Sequence, residues 1–253
     1  MKKTQRKLIP AVAMLLISAI MLSTSSFAWF SMNSKVSATN MSITAKADNP
    51  FLQISLTAGR SSVSTSVVTE ATATDLKLVT PLNVASNVAY YADSGAAGTK
   101  KTTNPEKFTN AASVLWGEAT SSKVNDAEAA NVPTKVVSPS GTHYATDVLY
   151  FSLADNSADA TNLKLSAVTF EKGQNAIFKS ARILLVTETG KYMTYSGRDS
   201  SIGGDPALFA AMTPGEDYQV TVYFFFDGTD ADAKTSLATD LTAVTASMDF
   251  TVD

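Results

Sequence analysis

From residue 218 the chain reads Tyr-Gln-Val-Thr-Val-Tyr-Phe-Phe-Phe and stops at the turn pair Asp227-Gly228. Val220, Val222, Phe224 and Phe226 share one parity; Gln219, Thr221, Tyr223 and Phe225 share the other. Alternation of β-branched and aromatic residues over this length specifies a strand with one face in a core. The same period returns at Ala246, Met248, Phe250 and Val252, set against Thr245, Ser247, Asp249 and Thr251. Two such strands at the C-terminal end call for a sheet to which the rest of the chain must contribute.

Earlier segments supply further strands. Met41, Ile43, Ala45 and Ala47 alternate with Ser42, Thr44 and Lys46. After the turn Asp48-Asn49-Pro50, Leu52, Ile54 and Leu56 alternate again, which predicts a hairpin between the two runs. Residues 57–74 read as a loop or an edge strand, and Leu76, Leu78 and Val79 as a short strand before Pro81. Leu149, Phe151 and Leu153 form one face of the next strand. Leu163, Leu165 and Ala167 form the next face and then give way to Val168 and Phe170 on the opposite parity, the mark of a bulge. Residues 183–186 are apolar on both faces and lead through Glu188-Thr189-Gly190-Lys191 into Tyr192 and Tyr195, a second hairpin. Short helical stretches are expected at residues 207–212 and 230–241. The spacing predicts an all-β fold, a β-sandwich, jelly roll or related Greek-key arrangement with few short helices. A single sandwich domain is expected over residues 41–253, interrupted at about 85–145 by an irregular, mostly exposed insertion rich in polar residues.

The N-terminus reads as a signal helix over residues 1–28. Lys2, Lys3, Arg6 and Lys7 precede an apolar run at residues 8–22, and Ser26 and Ala28 sit at −3 and −1 of a cut before Trp29. An uncleaved membrane anchor is the competing reading, because residues 8–30 carry no charge and are long enough to span. The four basic residues of this segment belong to the 20 Lys and Arg of the whole chain. Beyond residue 28 the chain therefore carries 16 against 23 Asp and Glu, a net charge of −7. That excess disfavours nucleic acid and anionic membrane surfaces as partners. Residues 29–40 come next, as an extended polar arm whose larger side chains are Trp29, Phe30, Met32 and Val36.

The inventory for catalysis is short. There is no cysteine and a single histidine, His143, which reads as an exposed loop residue. H-E-x-x-H, G-x-S-x-G, G-x-x-x-x-G-K-[ST] and G-x-G-x-x-G are all absent, so no catalytic or cofactor-binding set is expected. Asp227, Asp230 and Asp232 form the one metal candidate, a calcium loop with fewer ligands than an EF-hand. A solvated turn with a helix cap is the alternative reading. Trp116 reads as a hydrophobic plug beneath the insertion, or as an aromatic platform for glycans.

The junction Ser26-Phe27-Ala28-Trp29-Phe30, then Asn33-Ser34-Lys35 and the Met41-Ser42-Ile43-Thr44-Ala45 run, resembles the TasA/camelysin family of exported Gram-positive proteins. The C-terminal order of a Tyr-x-Val-x-Val strand, an acidic Asp-Gly-x-Asp turn and a final alternating strand is similar in style. The resemblance covers about residues 8–56 and 144–252; the insertion has no counterpart. It implies a jelly-roll-like subunit of an extracellular biofilm fibre whose N-terminal arm completes a neighbour's sheet. The implied partners are further copies of the chain in a head-to-tail homopolymer, a signal peptidase, and other matrix proteins or glycans. A metalloprotease activity attached to some members does not carry over, since the zinc motif is missing. The competing class is a secreted or surface-attached adhesin or glycan-binding module using Trp116 and the insertion. Secretion, or retention at the cell surface by an uncleaved signal, is the expected localisation. Export with cleavage between Ala28 and Trp29 is testable by N-terminal sequencing of secreted material; a chain still beginning at Met1 refutes it.

Overall fold

The computed structural model describes residues 38–39, 41–47, 51–60, 63–71, 77–84, 91–92, 100–101, 107–118, 133–136, 143–171, 176–233, 241–242 and 245–253. The expected signal helix, its cleavage residues and most of the arm lie outside them.

Among the described residues the regular structure is almost wholly strand. The first part of the chain gives β1 (Ala38–Thr39), β2 (Met41–Ala47), β3 (Leu52–Ser55), β4 (Ser66–Ala71) and β5 (Val79–Pro81). The middle gives β6 (Tyr91–Ala92), β7 (Lys100–Lys101), β8 (Trp116–Glu118), β9 (Thr134–Val136), β10 (Ala145–Leu153) and β11 (Ala160–Glu171). The last part gives β12 (Ala181–Thr187), β13 (Tyr192–Ser196), β14 (Ser201–Gly204), β15 (Phe209–Met212), β16 (Tyr218–Phe226), β17 (Leu241–Thr242) and β18 (Thr245–Thr251). Two 3-10 turns, Ala111–Ser113 and Ala176–Ser180, are the helical pieces among the described residues.

A six-stranded sheet in the order β14-β13-β12-β16-β10-β3 packs on a five-stranded sheet in the order β15-β11-β18-β2-β4. The first is antiparallel throughout, and the second is mixed because β2 lies parallel to β18. Phe151, Phe224 and Phe226 from one sheet meet Ile43, Met248 and Phe250 from the other in a single core, each no more than 1% exposed. The rings of Phe151 and Phe250 contact edge to face at 4.7 Å between centroids. Each fully buried aliphatic or aromatic side chain contributes roughly 1.5–3 kcal/mol, so a core of this extent can hold the fold without disulfides.

The 218–226 strand is buried on both faces. Tyr223 and Phe225, expected to face outward, are 6% and 3% exposed. They lie under a third layer, a small sheet in the order β5-β8-β9-β6-β7. A second core joins Leu184, Val186, Tyr223 and Phe225 to Val79, Phe108 and Trp116 of that layer. The described part of the insertion is therefore a lid on the six-stranded sheet, with a buried inner surface. Polar composition concealed it, because a few large apolar residues, widely spaced, are enough to cover a sheet face.

The predicted bulge is present but falls earlier than expected: Leu165 pairs with Phe250 and Ala167 with Asp249, so Ser166 is the extra residue, the buried parity switches after it, and Ala167, expected on the face of Leu163 and Leu165, is exposed. The hairpin of β12 and β13 forms as expected. Gly190 in its turn has φ +76, and a Cβ there would stand 2.7 Å from the Thr109 carbonyl oxygen, so glycine is required twice over.

Two expectations fail, and a third is corrected at its ends. Residues 41–47 and 52–56 do not make a hairpin: β2 pairs with β18 and β4, whereas β3 pairs with β10 in the other sheet. Both strands bury alternate residues in the same core, and local pattern does not distinguish a hairpin from a crossing between sheets. Residues 207–212 are not helical; Phe209–Met212 is β15, paired with Ala160, Thr161 and Leu163. The tertiary partner overrides the helix propensity of Ala and Met. Residues 230–233 form a turn, with the Asp230 amide donating to the Asp227 carbonyl at 3.0 Å and Ala233 to Asp230 at 3.0 Å. Residues 241–242 are in strand, so the helix expected over 230–241 does not reach Leu241; residues 234–240 lie outside the described residues.

Phe224 stacks on Phe170 at 5.5 Å and contacts Phe226 at 5.7 Å, at the centre of the shared core. Phe224→Ala is expected to lower stability by about 3–5 kcal/mol. Denaturant unfolding checks this; a loss under about 1 kcal/mol, the usual range for tolerated core swaps, would show that the two sheets do not share this core.

Candidate functional site

The assembly residues singled out in the sequence, Trp29, Phe30, Met32 and Val36, lie outside the described residues, as do Ser26 and Ala28 at the signal junction. The structure does describe how the chain enters the fold after them. Ala38–Thr39 pair in parallel with Leu241–Thr242, so the end of the expected arm belongs to a strand pair within its own domain. The next strand, β2, lies inside its sheet, flanked by β18 in parallel and β4 in antiparallel. Its Ile43 and Ala45 are 1% and 0% exposed. The chain after residue 40 thus enters the five-stranded sheet as a strand paired on both edges, which makes no hairpin with β3.

The acidic turn after β16 was the metal candidate. Asp227, Asp230 and Asp232 do come together, around two arginines that sequence reading missed. Asp230, with a side chain 2% exposed, accepts from Arg182 Nη2 at 2.8 Å and Arg198 Nε at 2.8 Å, and also pairs with Arg198 Nη2. Arg198 reaches Asp232 at 2.9 Å, and Arg182 lies 3.8 Å from Asp227. Burial pushes the Asp230 carboxyl up, but the bonds from Arg198, the Asp232 amide and Arg182 outweigh it and hold it below its usual range. Asp227 goes the other way: burial raises it, against the bonds from Thr229 and the charge of Arg182. With its oxygens engaged by guanidinium groups, the cluster is an ion-paired clasp between β12, the turn after β13 and the turn after β16. Among the described residues no group of three or more His, Cys, Asp or Glu could hold a metal ion. The signal for this clasp was faint: an Arg in the otherwise apolar β12 and another in the turn Gly197-Arg198-Asp199.

His143 is not an exposed loop residue. It is 5% exposed, just before β10, with Nε2 3.8 Å from Glu118 Oε2 on β8. Lys77 Nζ lies 3.6 Å from the same oxygen. The nearby His143 imidazole is the leading influence that holds the Glu118 carboxyl below its usual range, against burial and with help from Lys77. These groups tie the third layer to the six-stranded sheet. The loop reading failed because Pro139-Ser140-Gly141 marks a turn without saying what folds over the residues beyond it.

Trp116 is the plug. It is 3% exposed and contacts Tyr144, Phe225 and Tyr223 at centroid distances of 4.7, 5.1 and 5.3 Å. Tyr223 Oη donates to the Ala111 carbonyl at 3.0 Å, and burial, with Tyr144 nearby, pushes its phenol up to about 12. A cavity of about 380 Å³ opens beside this cluster, with Lys135 and Val136 at its wall. Such a cavity fits a small ligand by size. The aromatic rings, however, pack against one another in tilted and edge-to-face contacts, and no flat exposed platform remains on Trp116.

No protein-family model, curated protein or solved structure matches the chain.

The clasp has a testable acid signature. Asp230 has a folded-state pKa below its unfolded value of about 3.9, so its contribution is present above that value. It is lost as pH falls through the folded value. Asp227, raised by burial, works in the opposite sense and loses favour as pH rises through its folded value. Asp230→Asn is expected to lower stability at neutral pH by about 3 kcal/mol, because it leaves Arg182 without its buried carboxylate. It should also flatten the acid limb of a stability-versus-pH curve measured by urea unfolding. An unchanged acid limb would show that Asp230 is not an ion-paired carboxylate.

Proposed function

We propose that the protein is a secreted structural subunit of an extracellular fibre or biofilm matrix, a jelly-roll-like sandwich that assembles by donating its N-terminal arm to a neighbour. The observation that carries this reading is the place of β2. The first strand of the sandwich after the arm is a buried strand of the five-stranded sheet, with no hairpin to β3. A pull on the arm is therefore transmitted into a parallel ladder with β18 and an antiparallel ladder with β4. A link between subunits needs such an anchorage, whereas a binding loop does not. The all-β fold and the export-type N-terminus agree with it, as does the resemblance of the signal junction to the TasA/camelysin family.

The energetics favour docking of the arm. Trp29 and Phe30 left in water expose apolar surface, and each contributes roughly 1.5–3 kcal/mol when buried in a partner. An extended segment also satisfies the unpaired amides and carbonyls of a sheet edge. Donor and acceptor surfaces differ, so the contact repeats head to tail and gives a filament instead of a closed dimer. The competing glycan-binding reading has lost its platform residue, since Trp116 is buried.

Deleting residues 29–37, and so leaving β1 and β2 in place, is expected to give a folded monomer that does not polymerise. Sedimentation and negative-stain imaging of the secreted intact and shortened chains decide it. Fibres from the shortened chain identical to those of the intact one would remove the arm as the link. An intact chain that stays monomeric under all conditions would favour the adhesin reading.

A further inference from the structure

The cavity of about 380 Å³ between the third layer and β16 has Val114, Trp116, Lys135, Val136, Tyr144 and Tyr223 in its wall. Its volume falls at the small end of the range of about 300–1,000 Å³ that ligand pockets occupy. Most of the lining is apolar or aromatic. The rings are interlocked: Trp116 contacts Tyr144 at 4.7 Å and Tyr223 at 5.3 Å, and Tyr144 contacts Tyr223 at 4.9 Å. A cavity held open in this way is preformed, so a guest entering it does not have to order the side chains around it.

Two polar groups in the wall lack partners among the described residues. Tyr144 is 8% exposed, yet its hydroxyl makes no hydrogen bond to any of them. Lys135 is half-buried and makes no ion pair with any of them. Tyr223 differs, because its hydroxyl donates to the Ala111 carbonyl at 3.0 Å. Glu118, on the strand paired with that of Lys135, is engaged by Lys77 and His143 at 3.6 and 3.8 Å and is not the missing counter-ion. A buried hydroxyl without a partner is costly, and native folds leave few of them. Burial raises the Tyr144 phenol, so it keeps its proton and can donate at neutral pH. Lys135 faces Gly117 across the ladder, so no cross-strand side chain competes with its stem. That stem can lie along the apolar wall with the ammonium at the opening.

One hydroxyl and one ammonium beside an apolar hollow match the two oxygens of a single carboxylate. A phosphate ester carries more charge and needs more donors than this wall offers. A sugar ring needs a flat exposed aromatic face, and Trp116 and Tyr144 are only 3% and 8% exposed. We propose that the cavity is a binding site for a small aromatic carboxylate, with its ring against Val114, Trp116 and Val136 and its carboxylate on Tyr144 Oη and Lys135 Nζ. The site makes no use of the N-terminal arm, so its occupancy is independent of fibre assembly.

Isothermal titration calorimetry of the purified protein with phenylacetate tests the site, with phenylacetamide as the neutral counterpart. One molecule per chain is expected to bind with a Kd of about 1 mM or tighter, the range open to a ligand of about ten heavy atoms. Phenylacetamide is expected to bind at least about tenfold more weakly, since it lacks the charge that Lys135 and Tyr144 would engage. Tyr144→Phe keeps the ring, so it is expected to weaken phenylacetate about tenfold while leaving the thermal unfolding midpoint unchanged. Lys135→Gln is expected to weaken it about fivefold and to remove the salt dependence of binding. Ala112→Trp, at an exposed position of the wall, is expected to block the cavity. No heat of binding at about 10 mM phenylacetate, ten times the expected Kd, would overturn the proposal. Equal binding of the amide, or no effect of Lys135→Gln, would overturn the carboxylate as its ligand. Binding that survives Ala112→Trp would place the ligand elsewhere and overturn the site. If Tyr144→Phe fails to fold, the Lys135→Gln and Ala112→Trp results still decide the matter, because neither position is in the buried core.

Discussion

β16 is buried on both faces, and the three layers depend on it. Val220, Val222, Phe224 and Phe226 fill the core between the two large sheets, while Tyr223 and Phe225 turn into the second core under the small sheet. A strand with so many aromatic residues left with one wet face would expose a large apolar patch, so the third layer is a requirement of this sequence and not an ornament. Its neighbour β12 shows the same need, with Ile183 and Leu185 facing one core and Leu184 and Val186 the other.

The polar clusters sit where that layering has to be fastened. The Arg182, Arg198 and Asp230 clasp closes one end of the six-stranded sheet, where β12 begins and β16 ends. Glu118, His143 and Lys77 fasten the third layer where β10 starts. Both use buried or half-buried charge whose partners come from distant parts of the chain. Groups of this kind resemble candidate catalytic or metal sites when only their residue types are known. In three dimensions their oxygens are engaged by guanidinium, ammonium and imidazole groups, which is the arrangement of a fastening.

The mixed sheet bears most directly on the proposed assembly. Parallel pairing of β2 with β18 joins the two ends of the chain in one ladder, with registers from Thr245 opposite Ser42 to Phe250 opposite Ala47. Whatever is attached before β2 is thereby coupled to the last strand of the domain. The edges of the sandwich also differ among the described residues: β3 is bridged to Ser64, just before β4, and β15 pairs with β11 only as far as Leu163.

Local alternation alone determined that β2, β3, β10, β16 and β18 are strands, which face of each enters the main core, that β11 carries a bulge and that a hairpin turns at Gly190, because side-chain parity is a property of consecutive residues; that the other face of β16 is buried as well was decided by the third layer. The expectation of an export signal and the absence of nucleotide and zinc motifs are also read from sequence without any fold. Pairing partners were decided by tertiary structure, because a strand's edge carries the same amides and carbonyls whatever its neighbour. Hence β2 joined β18, from the far end of the chain, instead of β3. Residues 209–212 became strand only because β11 offered an edge, and His143 and the described part of the insertion were buried only because β16 and β12 needed a cover. The acidic turn shows the same division: its carboxylates are visible in one line of sequence, but the two arginines that engage them come from separate parts of the chain, and only folding brings opposite charges within hydrogen-bonding distance.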